Sequence, residues 1–119
     1  RGGSFKTAKK ALEYYYDLLA LKEPPMRILY LLSRQFKLLL HVKELVKQGN
    51  DKAQIAKSAG LHPFVAGKYM SQCRNFKSSE LRAIMEESAE IEELVKTGRL
   101  GDVMGVEVFI VKYSTPVVQ

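Results

Sequence analysis

The sequence predicts an all-α fold, a compact bundle of about six helices around a long central helix. The main reason is the stretch from Pro25 to Gly49, where polar residues recur at alternating steps of three and four and almost every other residue is apolar. Prolines near predicted helix starts and glycines just past predicted helix ends mark further helices along the chain. A length of 119 residues, with 46% apolar and 27% charged residues, fits one globular domain.

The predicted central helix carries a single polar stripe. The stripe consists of Arg27, Tyr30, Arg34, Lys37, His41, Glu44 and Gln48. The apolar residues cover well over half of the circumference, whereas the apolar arc of an ordinary surface helix is roughly 100° wide. They are Ile28, Leu29, Leu31, Leu32, Phe36, Leu38, Leu39, Leu40, Val42, Leu45 and Val46. We therefore expect this helix to be buried, and the charges within it exclude a membrane span.

The N-terminal segment is predicted to form a helix that ends before the central one. Residues 1–4 have the composition of a linker or a cloning remnant, and Ser4 is predicted to cap a helix from Phe5 to about Leu21. One face of this helix is predicted to be buried, namely Ala8, Leu12, Tyr15, Tyr16 and Leu19. Glu23 precedes two prolines, which ends the helix because a residue before proline avoids the helical region.

Residues 51–76 are predicted to form a pair of helices like a helix-turn-helix. The pair Asn50-Asp51 is expected to cap a short helix through Ala59 that is closed by Gly60, and Pro63 opens a second helix that runs to about Phe76. The pattern is typical of a tight bend between two helices, which occurs both in DNA-reading proteins and as simple packing.

The second helix of this pair contains few side chains suited to reading DNA. Its first turn, Pro63 to Gly67, has none of the side chains that bind base edges. Lys68 and Arg74 come later and are the candidate nucleic-acid contacts. Structural packing, contact with the phosphate backbone and docking of a protein all stay open for this helix.

The C-terminal part is predicted to form two more helices. Ser78 is expected to cap an acidic helix from Ser79 to Lys96. Residues 106–111 are rich in β-branched and aromatic residues, which favours a strand, but the chain contains no partner strand to pair with it. We therefore predict a helix from Asp102 to Tyr113, followed by a frayed tail at 114–119.

No constellation of catalytic residues stands out. His41 is expected to be exposed or interfacial on the polar stripe, His62 to serve local hydrogen bonding or packing, and Cys73 to be buried. The glycines Gly98, Gly101 and Gly105 lack the spacing of a phosphate-binding loop and are expected to mark a helix stop and a turn. We therefore predict that the chain is not an enzyme and needs no cofactor and no metal.

The charge is unevenly distributed along the chain. Residues 1–77 hold 15 Lys and Arg against 5 Asp and Glu, whereas residues 78–119 hold 4 against 8. A basic region of this kind favours phosphate or an acidic protein surface as its partner. A single cysteine and the absence of a signal-peptide pattern lead us to expect a cytoplasmic location.

Three blocks of the sequence resemble a known family. They are RQFKLLLHVKELVKQG at 34–49, IAKSAGLHPFV at 55–65 and LVKTGR at 94–99. Their order and spacing resemble the C-terminal domain of the delta subunit of bacterial DNA polymerase III, and the series extends over nearly all of residues 5–113. The resemblance implies a helical collar domain that packs against the equivalent domains of the other subunits in a five-membered clamp loader. It also implies that the AAA+-like domains, including the element that opens the sliding clamp, lie outside this chain.

The resemblance leads to one functional hypothesis. The chain is expected to be a non-enzymatic assembly domain that anchors the delta subunit in the collar, in a complex associated with DNA polymerase activity. The sliding clamp and primed DNA are expected to be partners of the parent protein, and the isolated domain is expected to be a monomer with no membrane partner. The candidate interface residues are Tyr30, Arg34, Lys37, His41, Lys96, Thr97, Gly98 and Arg99, with Tyr14 and Tyr69 as further aromatic candidates. The alternative hypothesis is a small helix-turn-helix transcriptional regulator that binds DNA.

Overall fold

The computed structural model describes residues 2–114 and the side chains of residues 9–113. Its helices are α1 (Gly2–Ala20), α2 (Pro25–Lys47), α3 (Lys52–Ala59), α4 (Pro63–Gln72), α5 (Ser78–Lys96) and α6 (Asp102–Ser114), and a 3-10 turn at Cys73–Asn75 follows α4. Within residues 2–114 there is no strand. The prediction of an all-α fold with about six helices is therefore confirmed, and the segment with the β-branched run is the helix α6.

The chain forms two compact units. The first contains the described residues up to Leu31 and from Glu87 onward, and the second contains residues 32–86. The two boundaries fall inside α2 and α5, so each of these helices contributes to both units. The single domain predicted over residues 5–113 stays a prediction, as does the linker at 1–4. The tail predicted at 114–119 lies outside the described residues except for Ser114, the last residue of α6.

The core of the first unit is built from α1, the start of α2, most of α5 and α6. Its buried side chains are Tyr15, Ile28, Leu29, Ile91, Val106, Phe109 and Ile110. Tyr15 is 1% exposed, as expected, but Tyr16 is 45% exposed and its hydroxyl donates a hydrogen bond to the Glu107 carboxylate. Placing Tyr16 on the buried face was therefore wrong, because its hydroxyl finds a carboxylate at the surface of α6.

The core of the second unit includes the helix pair predicted at 51–76. Asp51 caps α3 in a reciprocal capping box with Gln54, whose backbone N–H donates to Asp51 Oδ1 at 2.9 Å. His62 precedes α4, and its Nδ1 accepts a hydrogen bond from the Phe64 N–H at 3.1 Å, so the expected local role of His62 is confirmed. The buried residues of the unit are Leu39, Val42, Ile55, Ala56, Ala66, Cys73, Leu81 and Ile84.

The helix α4 is shorter than predicted. It ends at Gln72 and tightens into the 3-10 turn, after which Phe76 has an extended backbone. The rings of Phe76 and Phe36 meet edge to face, with centroids 6.0 Å apart, which fixes the chain direction after the turn. Together, α4 and the 3-10 turn extend to Asn75, one residue short of the predicted end at about Phe76.

Two predicted helix caps also differ from the structure. The helix α1 begins at Gly2, so Ser4 lies within it and does not cap it, because the backbone before Ser4 is already helical. Ser78 is the first residue of α5 rather than its cap, and its Oγ accepts a hydrogen bond from Lys47 Nζ at 2.9 Å. The backbone N–H of Lys77, just before the helix, donates to Glu80 Oε1 at 2.6 Å. The glutamate at the third helical position therefore caps this N–H group.

The apolar surface of α2 is only partly buried. Ile28, Leu29 and Leu39 are at most 7% exposed, but Leu31 is 44% and Val46 is 40% exposed. The expectation of a buried helix therefore holds for one side of α2 and fails at Leu31 and Val46, since folded proteins leave some apolar side chains exposed.

Candidate subunit interface

The interface residues predicted on α2 are exposed. Tyr30 belongs to the first unit and is 61% exposed, and Arg34, Lys37 and His41 belong to the second unit and are exposed as well. Glu44, further along the same stripe, is half buried, and its Oε2 accepts a hydrogen bond from Arg82 Nη2 at 2.9 Å. Contact between these residues and another subunit stays a prediction.

The residues from Lys96 to Arg99 end α5 and turn the chain toward α6. The N–H of Gly98 donates to the carbonyl of Val95 at 3.1 Å, and the N–H of Arg99 donates to that of Leu94 at 2.9 Å, the pattern of a Schellman motif. Gly98 has a φ of 76°, a conformation that strains a residue with a side chain. All four residues are exposed, so their local role in ending the helix leaves their side chains accessible.

The candidate nucleic-acid contacts Lys68 and Arg74 are both exposed. Lys68 lies on α4, and Arg74 lies on the 3-10 turn that follows it. Tyr69, a candidate interface aromatic, is half buried on the same helix, whereas Tyr14 on α1 is 60% exposed. The structure thus leaves Lys68, Arg74 and Tyr14 accessible to a partner.

The outward face of α6 carries an apolar stripe that the sequence analysis did not identify. Met104, Val108 and Val111 recur at i, i+4 and i+7 and are 58%, 50% and 43% exposed. Val106, Phe109 and Ile110, on the opposite side of the helix, are at most 7% exposed. A helix that is apolar on all sides is normally buried, so the exposed stripe of α6 is the strongest candidate for a protein interface in the first unit.

Helix α1 holds one flank of α6 in place. The Tyr15 hydroxyl donates a hydrogen bond to the backbone carbonyl of Val103 at 2.8 Å, and Tyr16 contacts Glu107 one turn further along. Burial, together with the negative charges of Asp102 and Glu107, raises the pKa of Tyr15 to about 12. The Tyr15 hydroxyl therefore keeps its proton and its hydrogen bond throughout the physiological pH range.

On the other flank of α6, side chains from α5 and the following loop lie over a glycine. A Cβ added at Gly105 would lie 3.0 Å from Cγ2 of Ile91 and 3.1 Å from Cδ2 of Leu100. Gly105 lies inside α6 and is buried. The prediction that it marks a helix stop or a turn was therefore wrong. The missing side chain at Gly105 leaves room for the side chains of Ile91 and Leu100.

We expect Gly105→Val to lower the free energy of unfolding by about 1 to 3 kcal/mol, because the added methyl groups overpack the contact with α5. Chemical denaturation followed by circular dichroism measures the change. Met104→Val, one residue away at a 58% exposed position, introduces the same side chain and is expected to cost less than about 0.5 kcal/mol. Equal losses in both variants would contradict close packing at Gly105.

A charged network joins the end of α6 to α5. Lys112 Nζ donates to Glu87 Oε1 at 2.6 Å, and the Tyr113 hydroxyl donates to the same oxygen. Burial by itself would raise the pKa of Glu87, but the hydrogen bonds from Lys112 and Tyr113 outweigh it and hold this pKa below its ordinary value of 4.5.

The lowered pKa of Glu87 predicts a loss of stability in acid. Because the unfolded chain protonates this carboxylate at a higher pH than the folded chain, the stabilisation is present above about pH 4.5 and disappears as the pH falls through the folded value. We expect the urea midpoint of the wild type to exceed that of Glu87→Gln at about pH 6 and to approach it at about pH 3. The exposed Glu90→Gln is the control, and a wild-type advantage that persists unchanged in acid would contradict the prediction.

The described residues contain no cluster suited to a metal. No group of three or more His, Cys, Asp or Glu side chains within this part of the chain lies close enough to bind one ion. None of the described helices is long and apolar enough to cross a membrane.

Comparison with known protein families gives a match over nearly the whole chain. The model of the DNA polymerase III delta subunit, C-terminal domain, matches residues 5–113. The chain belongs to this family. Membership confirms the resemblance drawn from the three sequence blocks, and it supports the prediction that this delta C-terminal domain is not itself an enzyme. It does not favour the alternative of a helix-turn-helix transcriptional regulator.

One relative and one solved structure, both from Bacillus subtilis, are similar to this delta C-terminal domain. The DNA polymerase III subunit delta is 37% identical over 103 residues, which make up 87% of this chain and 30% of the relative. The solved structure of the DNA clamp loader delta protein superposes with a TM-score of 0.80 at 34% identity, covering 93% of this chain and 35% of that protein. The chain therefore spans about a third of the length of each of these relatives.

The apolar stripe of the delta C-terminal domain had a signal in the sequence. Residues 103–111 are apolar apart from Gly105 and Glu107, which leaves too few polar residues to cover a solvent-facing side of the helix. The β-branched residues of this segment favour a strand, and a strand would have a different arrangement of exposed side chains. Once α6 is known to be a helix, the same residues imply an apolar face on its outer side.

Proposed function

We propose that this delta C-terminal domain is an assembly domain that anchors its subunit to the other subunits of the clamp loader, in the collar. Through this anchoring, the parent protein takes part in opening the sliding clamp and loading it onto primed DNA in the cytoplasm. Membership in the delta family and the likeness to a clamp loader delta protein support the proposal. Because the chain spans about a third of its relatives, the clamp and primed DNA are proposed as partners of the parent protein.

The observation that carries the proposal is the exposed apolar stripe of α6. The fully buried centre of a protein interface is more apolar than the remaining surface, and methionine is enriched there. Covering one such side chain completely contributes about 1.5 to 3 kcal/mol. Met104 and Val108 are each at least 50% exposed, so a partner that covers them gains part of this free energy. We propose that the partner is an apolar helix of a neighbouring subunit's C-terminal domain.

The polar residues predicted from the sequence are proposed as further contacts. Tyr30, Arg34, Lys37 and His41 on α2 and the residues from Lys96 to Arg99 are exposed, and tyrosine and arginine are enriched at interfaces. Their polar side chains suit the rim of a contact better than its centre.

We expect Val108→Glu in the full-length parent subunit to weaken its binding to the other clamp-loader subunits at least about tenfold, because a carboxylate would be buried in an apolar contact. Co-purification of the parent subunit with the co-expressed partner subunits, followed by titration with the purified partners, measures the loss. Val46→Glu is the matched control, since it makes the same change at a 40% exposed position of α2. It is expected to change the affinity less than about twofold.

The outcome separates the two proposed contact regions. If Val108→Glu binds like the wild type while Tyr30→Ala and Arg34→Ala lose affinity, the α2 residues form the contact instead of the α6 stripe. If a parent subunit that lacks this domain still assembles with full affinity, the assembly role is wrong.

A further inference from the structure

A second apolar stripe of the first unit lies on α1. Tyr14, Leu18 and Leu21 recur at i, i+4 and i+7 and are 60%, 38% and 73% exposed. Leu21 directly follows the last residue of α1, and its N–H still donates to the carbonyl of Asp17 at 3.1 Å, so the helical spacing continues. We call Tyr14, Leu18 and Leu21 the α1 stripe. Tyr15, which faces the core, is 1% exposed, so its burial holds the α1 stripe at the surface.

The end of α1 leaves Leu18 without its usual local cover. The N–H of Lys22 donates to the carbonyl of Leu19 at 2.9 Å and that of Glu23 donates to the carbonyl of Leu18 at 3.1 Å, the pattern of a Schellman motif. In this motif an apolar residue at the position of Glu23 frequently packs against the residue at the position of Leu18. Glu23 instead carries a carboxylate, whose Oε1 lies 3.9 Å from Nε of Arg27. The α1 stripe is therefore not covered from its own turn.

Charged side chains border the α1 stripe. Glu13 and Asp17, each one position before a residue of the stripe, are exposed. Lys10 Nζ lies 6.0 Å from the centroid of the Tyr14 ring at the other end from Leu21. Single exposed apolar side chains are ordinary, but an apolar row with a charged border has the composition of a protein interface.

The position of α1 in the parent protein favours one partner for this surface. The family is that of the C-terminal domain, and about two thirds of the length of each relative lies outside the part that this chain covers. Helix α1 extends without interruption from Gly2 to Ala20, which places Tyr14 about 18 Å from the start of the helix. A domain joined there by a short linker has a roughly millimolar effective concentration, so even a weak contact with the stripe forms.

We propose that the α1 stripe is the docking surface for the parent protein's own preceding domain. That domain would present an apolar patch to Tyr14, Leu18 and Leu21, with basic side chains at its edge facing Glu13 and Asp17. Two domains of one chain move relative to each other unless an apolar interface joins them. Docking on the α1 stripe therefore fixes the orientation of the C-terminal domain relative to the rest of its subunit.

This contact goes beyond the assembly role and does not rest on it. The proposed assembly contact joins different subunits through the apolar stripe of α6, whereas the α1 stripe joins two parts of one polypeptide. The test of assembly needs the partner subunits, and the test of the α1 stripe uses the parent subunit without them. Failure of one proposal is therefore distinguishable from failure of the other.

Hydroxyl-radical footprinting with mass spectrometry, applied to the full-length parent subunit without partner subunits, tests the proposal. Tyr14 and Tyr30 are 60% and 61% exposed, so the two rings are expected to be oxidised at similar rates in the 119-residue chain. In the parent subunit we expect Tyr14 to be oxidised at least about threefold more slowly than Tyr30, because the centre of an interface excludes water. Leu21 is expected to be protected together with Tyr14.

A variant of the α1 stripe links the protection to docking. We expect Leu21→Glu in the parent subunit to return the oxidation rate of Tyr14 to that of Tyr30, since a carboxylate would be buried in the apolar contact. Val46→Glu places the same group at a 40% exposed position of α2 and is expected to leave the protection of Tyr14 unchanged. Circular dichroism checks that both variants keep their helices.

Four results would overturn the proposal. The first is equal oxidation of Tyr14 and Tyr30 in the parent subunit. The second is protection of Tyr14 that arises only when partner subunits are added, which would assign the α1 stripe to a neighbouring subunit. The third is protection in the 119-residue chain that grows with its concentration, which would assign the stripe to a second copy. The fourth is protection that persists in Leu21→Glu.

Discussion

Replacing Phe109 with alanine is expected to lower the free energy of unfolding by about 3 to 5 kcal/mol. The Phe109 ring is 1% exposed in the core of the first unit, and its centroid lies 5.0 Å from that of the Tyr113 ring. Truncation removes the apolar transfer free energy of the ring and leaves a cavity that the surrounding helices refill only in part. Since a domain is stable by about 5 to 15 kcal/mol in total, the variant loses a large share of its stability.

Urea denaturation followed by circular dichroism measures this loss, and Val108→Ala is its control. Val108 is the next residue of α6 and is 50% exposed, so its truncation is expected to cost less than about 1 kcal/mol. A larger loss for Val108→Ala than for Phe109→Ala would reverse the two faces of α6. That result would also remove the apolar stripe on which the assembly proposal depends.

Leu39→Ala is expected to cost about 2 to 5 kcal/mol in the second unit. Leu39 is 6% exposed and lies on the buried side of α2, the longest helix of the described chain. The loss combines the transfer free energy of the leucine side chain with the cavity that it leaves behind. The same denaturation experiment, with the free energy extrapolated to water, gives the value.

Leu31→Ala makes the same substitution on the same helix at a position that is 44% exposed. We expect it to cost less than half of the loss in Leu39→Ala, because almost half of the leucine surface is already in contact with water. Losses under about 1 kcal/mol at both positions would show that neither leucine belongs to the core.

The ends of most helices could be predicted because their signals are local. Asp51 and Gln54 cap α3 through their own side chains, and Gly98 ends α5 through a backbone conformation that few other residues adopt. The caps that were predicted wrongly are those decided by distant residues. Ser78 accepts a hydrogen bond from Lys47, 31 residues earlier in the chain, which no pattern around the serine indicates.

The candidate interface could be predicted only in part, for a similar reason. The polar stripe of α2 follows from periodicity alone, and its predicted interface residues are exposed in the structure. The apolar stripe of α6 depends on which side of an entirely apolar helix faces the core. Interactions between residues far apart in the sequence select that side: the Tyr15 hydroxyl donates a hydrogen bond to the Val103 carbonyl, and the Ile91 side chain occupies the space that a side chain at Gly105 would need.

The sequence by itself determined the all-α class, the family and the position of most helix ends, because periodicity and capping depend on neighbouring residues and leave their pattern in the chain. Only the tertiary structure decided which apolar side chains are buried and which stay on the surface. Burial depends on which segments meet in space, so the outward face of α6, on which the assembly proposal rests, could be identified only from the packed helices.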